Sequence, residues 1–395
     1  MSWSTVRADQ FCTLITDGTH DSPKPQQSGW KLITSKHLKG HYIDFDSANW
    51  ISEADYLKVI SRSAVEQWDI LFSMIGTIGN IYLEKNPHVE YACKNMGIFK
   101  FSGNKENALW MYYYLKSPQA KAYIQTHLRG STQAYVPLGG LREMPVPVPP
   151  QSVRNEIIAV LRPIDEKIEC NNAINDNLEQ QAQSCFQELF VDNADPEWAT
   201  GTISDLGTVV GGSTPSKAKP EYYTESGIAW ITPKDLSINK SKFVSHGEND
   251  ITELGLRNSS ASLMPEGTVL FSSRAPIGYI AIAAGEVTTN QGFKSVVPKP
   301  EIGTPFVYFF LKNTLPVIEG MASGSTFKEV SGSTMKNVPA VIPDAETLAK
   351  FSNFCAPIFA QQRILEEQNQ SLAALRDNLL PRLMSGEIDV SAVQL

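Results

Sequence analysis

Four short segments carry residue types from which sites are built. Pro163-Ile164-Asp165-Glu166-Lys167 sets two carboxylates beside a lysine, the ingredients of a nuclease acidic cluster. His37 and His41, four apart, could ligate a metal from one face of a helix. Gly211-Gly212-Ser213-Thr214 could wrap an anion in a nest of backbone amides. Asn86-Pro87-His88 is a fragment of the Asn-Pro-Pro-Phe type of segment that holds a target base in amino-methyltransferases. Each has a plainer reading. Asp165 and Glu166 fall in a heptad, where charge is a solvated helix face. The histidines flank Gly40 in a loop with no third ligand in view, which favours a polar structural role. The glycines suit an ordinary turn, and Asn86 lacks the second proline and the aromatic residue. With no GxxxxGK[ST] phosphate loop either, an intrinsic ATPase is disfavoured and no catalytic constellation holds together.

The elements that would position any site are written twice. Ser28-Gly29-Trp30-Lys31-Leu32-Ile33-Thr34-Ser35-Lys36-His37-Leu38 aligns with Ser226-Gly227-Ile228-Ala229-Trp230-Ile231-Thr232-Pro233-Lys234-Asp235-Leu236. Asp69–Ser73 with Ile78-Gly79 aligns with Thr268–Ser272 with Ile277-Gly278. Asn95-Met96-Gly97 matches Asn290-Gln291-Gly292, Gly130-Ser131-Thr132 matches Gly324-Ser325-Thr326, and Pro145–Pro149 matches Pro339–Pro343. Five matches in order at nearly one offset mark a duplicated unit.

Each unit opens with a globular part, 1–150 and 196–343. Short β-like runs (Asp69–Ser73, Asn80–Leu83, Thr268–Ser272, Tyr279–Ala283) lie between glycine and proline turns, with one helix-like stretch apiece, Ala108–Leu128 and Thr304–Ala322. Each unit then closes with a helical part, 151–195 and 344–395. Ile157, Leu161, Ile164, Ile168, Leu178 and Leu189 keep a heptad seam in the first. Phe351, Ile358, Leu365, Leu372, Leu379 and Leu383 do so in the second. Asn171, Asn175, Gln362 and Asn369 interrupt the seams with polar residues of the kind that specify register. The pattern predicts an α+β chain in which an antiparallel pair of long coiled-coil helices joins two pseudo-twofold-related globular domains. The alternative is two helices buried separately, one in each domain.

The chain's 395 residues suffice for two or three cores, and their formal charge is −8. An acidic balance argues against nucleic acid until it is divided along the repeat. The globular parts are then +2 and −1, and the helical parts −6 and −3, so the deficit belongs to the helices. Five scattered cysteines without a CxxC pair fit a reducing compartment. The first ten residues lack the apolar run of a signal peptide, and no stretch approaches the ~20 apolar residues of a membrane span. A cytoplasmic protein is expected.

The order and duplication of these segments resemble the specificity (S) subunit of type I restriction-modification enzymes, the methylase_S or HsdS family. The resemblance covers essentially the whole chain. It is carried by Trp230–Leu236, Val269-Leu270-Phe271-Ser272-Ser273-Arg274 with Ile277-Gly278, Gly324-Ser325-Thr326, Gln361–Ile364 and Leu379–Gly386. It implies a non-catalytic DNA-recognition subunit. Two target-recognition domains would each read half of a bipartite site in double-stranded DNA, while the helices set the spacer and dock two methyltransferase (M) subunits. S-adenosylmethionine, ATP and Mg would be bound by partner subunits, including motor-nuclease (R) subunits, and no cofactor by this chain. The segments after Pro150 and Pro343 depart from the family pattern in lacking an acidic residue followed by Gln.

Candidate DNA contacts follow from basic and polar loop positions. They are His20, Lys24, Lys36, Ser131, Thr132 and Gln133 in the first unit, and Ser213, Thr214, Lys217, Lys234, Arg274, Ser325, Thr326 and Lys328 in the second. Arg274 has Ile75 as its counterpart, so its contact would not be shared. Gly79, Gly278, Gly130 and Gly324 read as turn formers. The rival function is a non-catalytic interaction scaffold with two ligand-binding heads on a coiled coil.

Overall fold

The computed structural model describes residues 3–40, 42–324 and 328–390, so His41 and the candidates Ser325 and Thr326 lie outside the described residues. The chain divides into two compact units, Met1–Glu169 with Ser371–Leu395, and Cys170–Gln370.

In the first unit an antiparallel sheet runs Leu14–Asp17, Met96–Lys100, Ile70–Ser73, Ile81–Leu83. A smaller sheet, Asn49–Ile51, Trp30–Ile33, Tyr91–Cys93, carries the helix Glu53–Ser63. Ser4–Arg7 pairs with Pro145–Val148 in a two-stranded ribbon, where Pro145 and Pro147 lack amides and are tolerated only at an edge. The helix expected over Ala108–Leu128 is two helices, Lys105–Lys116 and Pro118–Thr126. Pro118 has no amide to continue the first helix, and the Ser117 hydroxyl accepts from the Ala120 amide at 3.3 Å to start the second.

The second unit repeats the plan with additions. Its main sheet runs Gly207–Gly211, Lys294–Pro298, Val269–Ser273, Ile277–Ala283, Phe243–Val244, the last strand parallel to its neighbour. A second sheet is formed by Tyr223–Thr224, Asp250–Ile251, Ile228–Ile231 and Thr288–Thr289. Thr304–Gly320 is one helix here, and Ala199–Thr202 pairs with Pro339–Ile342.

Backbone hydrogen bonds establish the repeat independently of residue type. The Val136 amide donates to Met74 O at 2.9 Å, and the Val330 amide to Ser273 O at 3.0 Å. Lys94 N donates to Ile33 O at 2.8 Å, as Asn290 N does to Ile231 O at 3.0 Å. Gly18 N donates to Met96 O, and Gly212 N to Phe293 O. Met96 therefore matches Phe293, and the alignment of Asn95-Met96-Gly97 with Asn290-Gln291-Gly292 is out of register. The two asparagines do different work. Asn95 takes a φ of +53°, whereas the Asn290 side chain accepts from the Gly292 amide at 2.8 Å.

The long helices span Gln151–Gln187 and Ala345–Met384. Asp344 caps the second by accepting from the Thr347 amide at 2.9 Å. Within the second unit the two run antiparallel: Asn171 Nδ2 donates to Asn369 Oδ1 at 2.9 Å, and Gln362 Nε2 to Asn175 O at 3.2 Å. In the first unit Asp165 meets Arg376 at 2.8 Å. The helix ends also enter the cores of the globular parts. Ile157, Leu161, Leu380 and Leu383 join the core around Trp110, and Ala182, Phe186, Phe351 and Ile358 join that around Phe309. Pairing and separate burial thus occur together in different stretches. Ile164, Ile168, Leu178, Leu372 and Leu379 are half-buried, and Leu365 is buried. Leu189 lies past the first helix in the wide turn Glu188–Asp192, and Phe186, off the heptad, is the buried residue there.

Candidate nucleic-acid interface

In the second unit the strand Ile228–Ile231 runs into the short helix Pro233–Ile238, and Thr232 caps it. The Asp235 carboxylate accepts from the Thr232 amide at 2.7 Å and from its hydroxyl at 2.6 Å. The other Asp235 oxygen accepts from the Glu248 amide at 2.8 Å. The Trp230 indole donates to Ser213 O at 3.0 Å. These bonds frame a groove of about 480 Å³ on which Thr214, Lys217, Lys234 and Arg274 converge. Thr214 is bonded to Gln291, Lys234 is paired with Glu248 at 2.5 Å, and that carboxylate holds the ammonium above its ordinary pKa. Lys217 is exposed. Arg274 also borders a neighbouring groove of about 650 Å³ with Lys328, and meets Glu329 at 3.5 Å. Burial pushes the Lys294 ammonium down, and Lys294 faces the same Glu329 at 3.9 Å. The grooves offer donors and cations on a rigid frame, which suits phosphate oxygens and base edges. Ser213 contributes its carbonyl to Trp230, and the Gly212 and Ser213 amides donate to Phe293 and Thr289, so the Gly-Gly-Ser-Thr turn leaves no anion nest there.

The first unit keeps the capped turn but not the groove. Thr34 N donates to His37 Nδ1 at 2.9 Å, so His37 caps the turn as Asp235 does. Burial lowers the His37 pKa. Lys36 lies exposed on this turn at the position of Lys234. His20 is held between Asp17 (2.9 Å) and Asn95 (2.8 Å). Lys24 lines a shallow groove of about 390 Å³ with Asp21 and Asp55, apart from the others. Ser131, Thr132 and Gln133 are exposed on a hairpin closed by paired backbone bonds between Arg129 and Tyr135, both 2.9 Å. Gly130 turns it at φ +89°, where a Cβ would lie 2.4 Å from Gln133 O. Ser323 and Glu329 pair in the same way in the second unit, at 3.1 and 2.9 Å.

A second set of residues ties each globular part to the helices. In the second unit Lys242, 7% exposed, donates to Glu179 at 2.8 Å and to Gln362 at 2.9 Å, with its ammonium 3.5 Å from the Phe359 ring centroid. The Lys242 and Phe243 amides donate to Glu366 at 2.7 and 3.0 Å. In the first unit Asp165 takes this part, joined to Lys116 at 3.2 Å and Arg376 at 2.8 Å. The acidic segment Pro163–Lys167 is thus a structural junction, with Glu166 paired to Arg162 at 2.6 Å. Sequence reasoning missed Lys242 because nothing in its type or spacing separates it from a surface lysine.

Two units of one plan, each with a β-rich head carrying donor-lined loops and joined to long paired helices, define a duplicated recognition protein. The profile of the type I restriction modification DNA specificity domain matches residues 3–180 and again 196–376, and the chain belongs to that family. The type I restriction enzyme MjaIX specificity subunit of Methanocaldococcus jannaschii is 40% identical over 169 residues, which is 42% of this chain and 39% of that protein. The HindI specificity subunit of Haemophilus influenzae is 22% identical over 417 residues, covering 86% of this chain and 90% of the relative. The crystal structure of the S subunit of a type I system from M. genitalium has the same fold, with a TM-score of 0.56 and 17% identity over 97% of this chain and 96% of that one. Among the described residues no helix is long and apolar enough to cross a membrane.

Proposed function

We propose that this chain is the DNA sequence-specificity subunit of a type I restriction-modification complex in the cytoplasm. Each head reads one half of a bipartite site in double-stranded DNA, and the paired helices set the unread spacer and dock two methyltransferase subunits. The observation that carries this reading is the end-to-end duplication of a DNA specificity domain in one chain. Two heads on one chain gain affinity through effective concentration, and half-sites read from one face of the duplex lie about a helical turn, ~34 Å, apart or at multiples of it. Catalysis belongs to the partners in this reading. They bring S-adenosylmethionine for adenine methylation, and motor-nuclease subunits bring ATP and Mg for cutting unmethylated DNA. The test is methylome sequencing of a host that expresses the complete system. Methylation confined to one bipartite motif is expected, and methylation without a bipartite motif would overturn the reading.

A further inference from the structure

We propose that Arg129 is a DNA-contacting residue of the first unit and stands in for the arginine that this unit lacks at Ile75. The inference rests on the DNA-reading function proposed above and assigns a contact within it.

The matched bonds Val136 N to Met74 O and Val330 N to Ser273 O put Ile75 where Arg274 stands in the second unit. Ile75 bridges Tyr135, and Tyr135 bridges Arg129 on its other side. Residue 135 is therefore flanked by 75 and 129, while the matching residue 329 bridges 323 and meets Arg274 through its carboxylate at 3.5 Å. Neighbouring strands lie ~4.8 Å apart, so two steps of the bridge span only ~10 Å. Each unit thus carries one guanidinium beside the same structural position: from the loop after the central strand in the second unit, and from the hairpin in the first. The swap keeps the cation and changes the strand that supplies it.

The surroundings favour Arg129 as the freer of the two. Arg274 faces the Glu329 carboxylate at 3.5 Å, and Lys294 shares that carboxylate. The matching residue in the first unit is Tyr135, which has no charge to neutralise Arg129 and is itself 42% exposed. The Arg129 side chain is exposed and makes no hydrogen bond or ion pair among the described residues. Its hairpin also carries Ser131, Thr132 and Gln133, which are exposed beside it. A planar fork of donors with no internal partner, set next to hydroxyl and amide side chains, suits phosphate oxygens or the O6/N7 edge of guanine.

The test uses the full chain assembled with its methyltransferase partners. The site chosen from a random duplex library is compared for wild type, Arg129→Ala, Arg129→Lys, Arg274→Ala and Lys58→Ala. The last removes one exposed positive charge of the same unit, already paired with Asp21. Arg129→Ala is expected to bind its site at least about tenfold more weakly, with the second half-site chosen unchanged. Arg274→Ala is expected to do the converse, and Lys58→Ala to bind like wild type. Arg129→Lys keeps most of the affinity if the contact is to phosphate, and loses one guanine from the first half-site if it is to a base. Co-purification of Arg129→Ala with its partners at wild-type yield shows that the variant folds. Affinity within twofold of wild type for Arg129→Ala, or the same loss from Lys58→Ala, overturns the inference. A wild-type complex that selects no bipartite site would instead overturn the function on which it rests.

Discussion

Lys234 and Arg274 reach the groove of the second unit already paired, with Glu248 and Glu329. A carboxylate beside a reading cation holds its side chain in one direction and keeps it from gripping any phosphate equally well. In the DNA-reading function proposed above, duplex would have to displace or share that partner, which would lower affinity for non-matching sequence. Glu248→Gln is therefore expected to tighten binding to non-specific duplex and to steepen the salt dependence by about one counterion, read by titration across salt concentrations. Lys234 and Glu248 are both highly exposed, so thermal stability is expected to stay unchanged. The matched segments Thr34–His37 and Thr232–Asp235 were legible in the sequence as part of the repeat, though their caps were not. The identity of the residue facing each cation was not, since Arg274 and Glu329 are brought together by strands far apart in the chain.

At the scale of elements, the strand Phe243–Val244 and the long helices are held by the Glu179–Lys242–Gln362 junction. Burial raises the Glu179 carboxyl, but Lys242 and Lys312 outweigh it and hold its pKa at about 2, below the ordinary 4.5. Burial drives Lys242 down to about 8 from 10.5, against the pull of Glu179. The depressed Glu179 pKa gives stability that is full above pH 4.5 and lost as the pH falls toward 2. The depressed Lys242 pKa means the unfolded chain binds the extra proton between pH 8 and 10.5, so that group's contribution rises with pH there. Urea unfolding followed against pH is expected to show the acid loss. Glu179→Gln is expected to remove the part of it that Glu179 contributes, while costing about 3–5 kcal/mol at neutral pH by leaving Lys242 buried without its carboxylate.

The buried asparagines make a second prediction at this scale. Asn171 is fully buried and bonds Asn369, whose own amide donates to Asn172 at 2.8 Å. Asn369→Ala takes the donor from Asn172 and leaves Asn171 Nδ2 only the longer bond to Gln368 at 3.4 Å, and is expected to cost about 1–3 kcal/mol in urea unfolding. Replacing Asn171 and Asn369 together by Leu is expected to recover most of that loss, because an apolar pair leaves nothing unsatisfied between those two side chains.

For the whole molecule, charge is the deciding quantity. The helical parts carry −9 of the total −8, leaving the globular parts together at +1. Such heads neutralise few phosphates, so the chain alone is expected to bind duplex weakly with a shallow salt slope. If methyltransferase subunits dock as proposed, adding them is expected to increase both affinity and slope, and fluorescence titration at several salt concentrations reads both. An equally steep slope for the chain alone would refute this division of labour.

The duplication, the heptads of the long helices and the location of the acidic charge were determined by the sequence alone. Each is a local pattern, or a repetition of one, that survives without coordinates. Tertiary structure decided what long-range pairing controls. It split one expected helix at Ser117, corrected the register at Met96, and turned Asp165 from a possible catalytic acid into a junction. It also gathered Lys217, Lys234 and Arg274 on one groove and set Arg129 opposite Ile75 across Tyr135. Loop side chains acquire their neighbours only when distant strands close a sheet, and those neighbours determine whether a cation is free, paired or buried.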